Sequence, residues 1–299
     1  MPYEDKTSAE VIADSIWDGV RLTTFRATFP RFILAEFNTH RAFSRNSASS
    51  RAIPVKRQIE LVRESPFIPQ QWPKNQSGMS AKENLGVEKS LMAADEWAGA
   101  AWRAAEAAET LSDYLKVHKQ IASRLLEPFM WHTVIVSSTM PGLDNFFAQR
   151  DHEDAQWEMQ LLAKAMRKAL DESTPSKWHY HIPFNTVTVE EQDFSMEQFM
   201  ITSAARCARV SYGREMEEKT YEEDANLVAR LVRGQHWSPL EHLGLIIPIK
   251  FPDSLSPCEY DNRYYNTEGN FQGPWSQLRH HWRSYLPTIA ARIDSEHST

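Results

Sequence analysis

The chain is poor in cysteine and has no long apolar run, and both absences restrict what it can be. Two cysteines in 299 residues, Cys207 and Cys258, do not make the disulfide-linked scaffold of a small secreted protein. No apolar stretch approaches the roughly 20 residues that a membrane-spanning helix needs. The first residues lack a basic region followed by an apolar one, so we expect no signal peptide and a cytoplasmic protein.

Internal repeats and a convincing domain linker are also missing, and the composition is that of an ordinary globular protein, with 41% hydrophobic and 24% charged residues. Helical patterns outweigh extended ones along the chain. We therefore expect one domain spanning residues 1–299, of the α+β class, with a mixed or antiparallel sheet surrounded by helices.

The charge is unevenly distributed. The net charge is -7, yet residues 21–63 hold nine basic and two acidic side chains, a local charge of +7 that leaves -14 elsewhere. An acidic remainder repels long nucleic acids, so the basic segment favours a small anionic ligand such as a nucleotide or a phosphorylated cofactor.

Several elements can be predicted from local pattern. Residues 20–37 read as two extended segments around Pro30, and residues 64–80 read as a loop. We expect burial of Phe25, Phe29, Phe32, Ile33 and Leu34.

The segment 81–170 is mainly helical in pattern, with a break near Gly99 or Ser112 and a clear amphipathic helix over residues 154–170. The β-branched run 133–136 is too short to tell a strand from a buried helix. Apolar stripes are expected from Leu91, Trp97, Trp102, Leu111, Leu115, Ile121 and Leu125.

Three later helices have start signals. Ser195-x-x-Gln198 and Thr220-x-x-Glu223 are capping boxes, in which side chain and backbone satisfy each other at a helix N-terminus. Ser238, followed by proline at the first helical position, predicts a third helix.

One loop carries most of the polar chemistry. The thirteen residues from Thr39 to Arg51 contain three arginines, one histidine and four serines, directly after the apolar run 32–37. Guanidinium groups and hydroxyls match the oxygens of a phosphate, so this loop is a candidate phosphate site. A solvated polar loop is the alternative.

The spacing His-Arg-x-x-Ser-x-Asn-x-x-Ser-x-Arg in this loop resembles the signature of the flavin-dependent thymidylate synthases. The matching residues are His40, Arg41, Ser44, Asn46, Ser49 and Arg51. The sequence departs from the family at Thr39, where the family has arginine, and at Ser47, where it usually has an acidic residue.

Three further segments resemble the same family. Residues 124–128 resemble its phosphate-binding Arg before a Pro, and residues 143–158 resemble the segment that supplies an Asn to the flavin and an Arg to the pyrimidine. Residues 208–212 and 236–242, within the segment 195–250, resemble its flavin-contacting segment. In the family this last segment precedes the signature, whereas here it follows. A circular permutation explains the order, since it is tolerated when the termini lie close together.

The resemblance implies a reaction and a set of ligands. FAD would carry hydride, NADPH would reduce it, and methylenetetrahydrofolate would give a one-carbon unit to C5 of dUMP, in a homotetramer whose subunits share sites. Nucleotide contacts would come from Ser49, Ser50, Arg51, Arg124 and Arg150. Flavin contacts would come from His40, Arg41, Ser44, Asn46, Asn145, Ser211, His236, Ser238 and Glu241. Catalytic roles would fall to Arg150, Ser49 and His236.

Alternatives remain open. The departures at Thr39, Ser47 and Asp154, where the family commonly has His, favour a hydroxymethylase acting on dUMP or dCMP as a second hypothesis. A non-catalytic nucleotide-binding or flavin-binding protein is a third. The acidic run 151–154 suits a helix N-terminus better than a metal, so we expect no metal site. No histidine neighbours either cysteine, so we expect no thiolate nucleophile.

Overall fold

A computed structural model describes residues 5–78, 83–184, 193–246 and 269–296. Cys258 and the last four residues of the predicted flavin-contacting segment 195–250 lie outside these ranges. The helices are α1 Leu34–Phe37, α2 Val55–Glu64, α3 Val87–Glu109, α4 Lys119–Ala122, α5 Met140–Arg150, α6 Trp157–Asp171, α7 Met196–Arg209, α8 Tyr221–Arg233, α9 Trp282–Tyr285 and α10 Pro287–Glu296. The strands are β1 Ser8–Trp17, β2 Val20–Pro30, β3 Ser44–Ser47, β4 Trp131–Thr139, β5 Tyr180–His181, β6 Gly244–Ile246 and β7 Trp275–Gln277.

The larger sheet is antiparallel, with strand order β1-β2-β4-β3. β1 and β2 meet at Asp18-Gly19, where both residues have positive φ, 47° and 74°. Asp-Gly favours such a two-residue hairpin turn, because both residues tolerate a left-handed backbone. A second antiparallel sheet has the order β5-β6-β7. Helices and antiparallel sheets together confirm the predicted α+β class.

Both faces of the larger sheet are covered. Phe25 and Phe29 of β2 and Val136 of β4 point to one face and pack against α5 and α6. Alternate residues, such as Ile135, point to the other face and meet Cys207 and its neighbours from the C-terminal half of the chain. A third cluster joins α7, α8 and α10, and a fourth lies between α2, α3 and residues 123–129. The sheet is therefore the middle of three layers.

A chain of buried hydrogen bonds crosses the second face. His181 lies 3.0 Å from the hydroxyl of Ser15 and 2.7 Å from that of Thr24. The Thr24 hydroxyl lies 2.6 Å from Ser137, whose oxygen lies 2.8 Å from Nδ1 of His242. These contacts link β1, β2 and β4 to the C-terminal half, and they satisfy polar groups that would be costly to bury alone.

Several predicted elements are confirmed. α6 spans residues 157–171, and α7 and α8 begin with complete capping boxes at Ser195 and Thr220. The described part of the segment 64–80 beyond α2 contains no helix or long strand. No described helix is both long and apolar enough to cross a bilayer.

Other predicted elements are wrong. The run after Pro30 is a helical turn over residues 31–33 followed by α1, not a second extended segment, and it leaves Phe32 and Leu34 only half-buried. The helical repeat of 3.6 residues places Ile33 and Phe37 on the same side of this run, where both pack into the core. Ser238 begins a single 3-10 turn of four residues rather than a longer helix.

The segment 81–170 agrees with expectation in part. α3 continues through Gly99 and gives way to a π-helical turn, Thr110–Tyr114, which contains Ser112, the second of the two predicted break positions. The β-branched run 133–136 belongs to a strand, β4. The alanines of α3 are the buried residues, because close packing against α2 requires small side chains. Five of the residues that were expected in the apolar stripes of the segment 81–126 are exposed instead: Leu91, Trp102, Leu115, Ile121 and Leu125.

Candidate functional site

The signature loop lies between α1 and α2 and contains the short strand β3, which pairs with β4. Gln58 of α2 is fully buried and donates to the carbonyls of Ser50 and Ile53, at 2.8 Å each. The loop is thus held by backbone pairing at β3 and by a buried amide after it.

The predicted phosphate residues gather around a carboxylate. Glu127 accepts a hydrogen bond from the Ser50 hydroxyl at 2.6 Å and pairs with Arg124 at 2.8 Å and with Arg31 at 3.1 Å. Arg124 is therefore a neighbour of the signature loop, although 74 positions separate it from Ser50. Arg51 is exposed and makes no side-chain hydrogen bond or ion pair with any described residue.

Arg31 adds a second guanidinium to this group. Its side chain is only partly exposed, and desolvation lowers the pKa of its guanidinium, while Glu127 acts in the opposite direction. One carboxylate thus offsets two guanidinium groups, and Arg51 nearby in sequence adds a third. The net positive charge and the guanidinium N–H groups of Arg124 and Arg51 give the group the donors that a phosphate monoester needs.

Arg150 lies elsewhere, at the C-terminal end of α5. It donates from Nε to Nε2 of His40 at 2.9 Å, pairs with Glu36 through Nη1, and lies 3.4 Å from the Thr39 hydroxyl through Nη2. The described partners of Arg150 and of Arg124 have no residue in common, since Arg124 pairs with Glu127. The predicted nucleotide residues thus fall into two sets with separate partners.

His40 is buried against aromatic rings. Its imidazole packs edge-on against Phe146, with 4.9 Å between ring centroids, and lies close to Phe43. Burial, followed by the charges of Arg150 and Arg45, lowers the pKa of His40 to about 4. The ring is therefore neutral at pH 7.

A cavity of about 520 Å³ opens beside β3. Four of the predicted flavin residues line it: Asn46, Ser211, His236 and Ser238. Arg230 of α8 lines it as well, and no acidic side chain is among its described lining residues. Its volume is in the range of small-molecule sites, and its donors suit an anionic group rich in hydrogen-bond acceptors.

Residues from both ends of the chain meet at this cavity. The Asn46 side chain donates to the Cys207 carbonyl at 2.5 Å, and Ser49 N–H donates to the Ser211 carbonyl at 2.9 Å. Gly234 allows the fold-back of His236, because a Cβ there would lie 3.0 Å from the imidazole. The signature loop and the segment that follows it by some 160 positions are therefore in direct contact.

Other predicted flavin residues do not line the cavity. Ser44 is buried and accepts from the Gln277 amide at 2.7 Å, and Glu241 pairs with Arg279 without capping a helix. Arg41 and Asn145 are exposed outside the cavity.

Several polar residues near the site were not predicted from the sequence. Glu36 and Glu127 neutralise Arg150 and Arg124, and nothing in their local sequence marks them as partners of distant arginines. Arg31 immediately follows β2. Only its position in the basic segment 21–63 could have indicated that it lies near an anion site. Arg230 lies one helical turn before Gly234, on the face that leads to His236, and the helical repeat could have identified it.

Cys207 and the acidic run 151–154 bear on two other candidate chemistries, a thiolate nucleophile and a metal site. Cys207 is buried, and burial raises the pKa of its thiol, which makes a thiolate nucleophile unfavourable there. Among the described residues no group of three potential metal ligands was found, and His152 and Asp154 of the acidic run lie 3.7 Å apart.

The family model described as thymidylate synthase complementing protein matches residues 15–176, more than half of the chain. The matched region contains the last three residues of β1, all of β2, β3 and β4, the signature loop, Arg124 and Arg150. No curated protein sequence matches the chain.

Among solved structures, the chain is similar to the UMP/dUMP methylase PolB from Streptomyces cacaoi bound with 5-Br UMP. The identity is 15% and the TM-score 0.49, over 57% of this chain and 91% of that one. It is also similar to thymidylate synthase X from Helicobacter pylori with FAD and dUMP, at 19% identity and a TM-score of 0.36, over 50% of this chain and 67% of that one.

Proposed function

Because the chain belongs to the thymidylate synthase complementing protein family, we propose that it is a flavin-dependent thymidylate synthase. In this proposal a one-carbon unit passes from methylenetetrahydrofolate to C5 of dUMP. The observation that carries the proposal is the contact of the signature loop, through Asn46 and Ser49, with the segment around Ser211.

The phosphate of the nucleotide would bind at the Ser50–Arg124–Arg51 group. Arg124 and the Ser50 hydroxyl are already oriented by Glu127, and the exposed Arg51 is free of side-chain partners among the described residues. Charge-assisted hydrogen bonds from arginine to phosphate are stronger than neutral ones, so this group would fix the nucleotide's position.

FAD would bind at the cavity beside β3. Asn46, Ser211, His236 and Ser238 offer donors and acceptors there, and Arg230 offers a cation. The absence of acidic groups from its described lining fits the diphosphate of FAD. When bound, FAD supplies a two-electron hydride donor after reduction by NADPH, and the protein positions and orients the reactants.

Arg150 would contact the pyrimidine ring, where a carbonyl and the ionisable N3 favour a cation. Neutral His40 holds the guanidinium from Nε, which leaves the Nη1 and Nη2 groups near Glu36 and Thr39. A positioned cation stabilises negative charge on the ring as a bond forms at C5. The buried Cys207 has no part in this mechanism.

Arg150 is not among the described residues that line the cavity beside β3, and its described hydrogen bonds go to other residues. We propose that a homotetramer brings them together, with each site built from more than one subunit. Exposed apolar side chains such as Trp102 and Leu91 supply surface for such contacts.

A second candidate is a flavin-dependent hydroxymethylase that acts on dCMP or dUMP. The pairing of Arg150 with Glu36 favours dCMP, because a carboxylate accepts from the 4-amino group of cytosine. Glu36→Gln would then weaken dCMP binding more than dUMP binding in calorimetric titrations. Equal effects on both nucleotides would exclude Glu36 as the group that selects the base.

The direct test is turnover. Purified protein is incubated with FAD, NADPH, methylenetetrahydrofolate and either dUMP or dCMP, and the nucleotides are analysed by mass spectrometry. Thymidylate from dUMP supports the proposal, and a hydroxymethyl product supports the second candidate. Nucleotide or flavin binding without any product indicates a non-catalytic binding protein.

A further inference from the structure

A second cavity, of about 660 Å³, lies between the loop that follows α2 and the N-terminus of α6. Trp72 and Trp97 line one side, and Trp157 and Glu158 line the other. No residue assigned above to nucleotide or flavin is among its described lining residues, and neither is any lysine, arginine or histidine.

The aromatic side of this cavity is ordered by specific contacts. The Trp97 indole donates to the Phe67 carbonyl at 2.9 Å, which fixes its ring. Trp72 packs edge-on against Trp97 with 6.1 Å between centroids, and Phe32 does so at 6.5 Å. Rings held in this way lose little further side-chain freedom when a ligand binds beside them.

The opposite side is acidic. Glu153, Asp154 and Glu158 all line the cavity, and Glu158 is only 5% exposed. No ion pair joins Glu158 to a lysine or arginine among the described residues, and desolvation raises the pKa of its carboxyl. The turn before α6 is fixed, because Gln160 donates to the Ala155 carbonyl at 2.7 Å.

The start of α6 alone does not explain this arrangement. A helix N-terminus is stabilised by acidic side chains in its first turn, and Glu158 meets that need. A helix N-terminus does not require three indole rings nearby. The buried Nε1–H of Trp157 also has no hydrogen-bond partner among the described residues. Lys164 lies 5.6 Å from the centroid of the same indole, so its ammonium group already pairs with one face of this ring.

We propose that this cavity binds an organic cation with a methylated ammonium group. Indole faces attract such a cation through their negative quadrupole, and methyl groups reduce its cost of desolvation. The carboxylates of Asp154 and Glu153 add charge complementarity, and the cavity volume is that of a small-molecule site. This ligand differs from the nucleotide and flavin of the proposed synthase reaction, and Asp154, one of the departures from the family, lines its cavity.

The test uses the full-length protein without nucleotide or flavin. Choline is titrated by calorimetry and by tryptophan fluorescence, beside its uncharged isostere 3,3-dimethylbutan-1-ol. We expect saturable choline binding, and binding of the isostere about tenfold weaker or more, which corresponds to ~1.4 kcal/mol. Equal affinity of the two compounds, or no saturable choline binding, overturns the proposal.

Variants locate the site. Asp154→Asn is conservative and exposed, and Trp72→Ala lies in a loop, so we expect both proteins to fold, as circular dichroism checks. Each should weaken choline binding about tenfold. Trp17→Ala, at the exposed end of β1 and outside the cavity, is the matched control and should leave binding unchanged. Choline binding that is unchanged in both cavity variants places the ligand elsewhere and overturns the assignment.

Discussion

Arg150 and His40 hold each other in place: Nε of the guanidinium donates to Nε2 of the imidazole at 2.9 Å. Because arginine has no acceptor atom, the Nε2 of His40 carries no proton, and the neutral ring has its proton on Nδ1. The histidine therefore acts on its neighbour as a hydrogen-bond acceptor. Its role at neutral pH is to orient a cation, and direct proton transfer from Nε2 is excluded in this arrangement.

The first prediction concerns this pair. Arg150→Gln removes a positive charge that, after burial, lowers the pKa of His40, so that pKa should rise from about 4. Titration of the imidazole signals by NMR measures it. Arg167→Gln, whose guanidinium pairs with Asp151, is the control and should leave the titration of His40 unchanged. A His40 pKa that does not move in Arg150→Gln would show that the contact is absent in solution.

The second prediction concerns the Ser50–Arg124–Arg51 group, the proposed binding site for the nucleotide's phosphate. Arg51→Ala or Arg124→Ala should weaken nucleotide binding by ~1.5–3 kcal/mol, the size expected for charge-assisted hydrogen bonds. Calorimetric titration with dUMP measures this. Arg103→Ala removes an exposed arginine that pairs with Glu96 on α3, and it should bind as the unaltered protein does. Unchanged affinity in both phosphate variants would remove this group as the phosphate site.

The third prediction concerns the cavity beside β3. His236 is exposed at its rim and no described hydrogen bond depends on its ring, so His236→Ala should remain folded. It should lower FAD affinity or the rate of flavin reduction, because a donor to the flavin is lost. His118→Ala, on the exposed turn before α4, is the control. Normal FAD affinity and reduction in His236→Ala would separate this residue from the flavin site.

The fourth prediction concerns the buried histidines between the sheet and the C-terminal half. Burial lowers the pKa of His181 and of His242 from 6.5 to about 3. At pH values between about 3 and 6.5 the unfolded chain binds more protons than the folded one. The free energy of unfolding therefore falls as the pH falls below about 6.5. Each histidine should cost about 1–2 kcal/mol of unfolding free energy between pH 7 and pH 5.

Urea unfolding at the two pH values measures this loss. His242→Asn retains a polar group near Ser137 but cannot be protonated, so its loss of stability on acidification should be smaller by about 1–2 kcal/mol. His179→Asn, an exposed histidine of the same region, should keep the full pH dependence. The same pH dependence in His242→Asn and the unaltered protein would contradict the assignment.

Local signals predicted local structure well. α7 and α8 could be identified because their capping boxes, at Ser195 and Thr220, are complete within four residues. The turn after Pro30 was misjudged because an apolar run of six residues fits either a strand or a helix, and only its packing decides. The stripes of α3 were misjudged because packing against α2 buries alanines rather than larger side chains.

The candidate site depended on contacts that local sequence does not contain. The signature loop and the segment around Ser211 could be associated by motif, yet the bond from Asn46 to the Cys207 carbonyl spans 161 positions. Glu36 and Glu127 were not predicted as partners of arginines, because no local sequence pattern indicates which charged residues form an ion pair in the folded protein. Motifs thus predicted which residues matter, and tertiary packing determined which of them meet.

The most direct test of the proposed reaction measures both products of one incubation. Purified protein, FAD, NADPH, methylenetetrahydrofolate and dUMP are combined, and nucleotide and folate are analysed together by mass spectrometry. If reduced flavin provides the hydride, the folate is not oxidised, and the products are thymidylate and tetrahydrofolate in equal amounts. Dihydrofolate in place of tetrahydrofolate, or no thymidylate from a protein that binds both FAD and dUMP, would contradict the proposal.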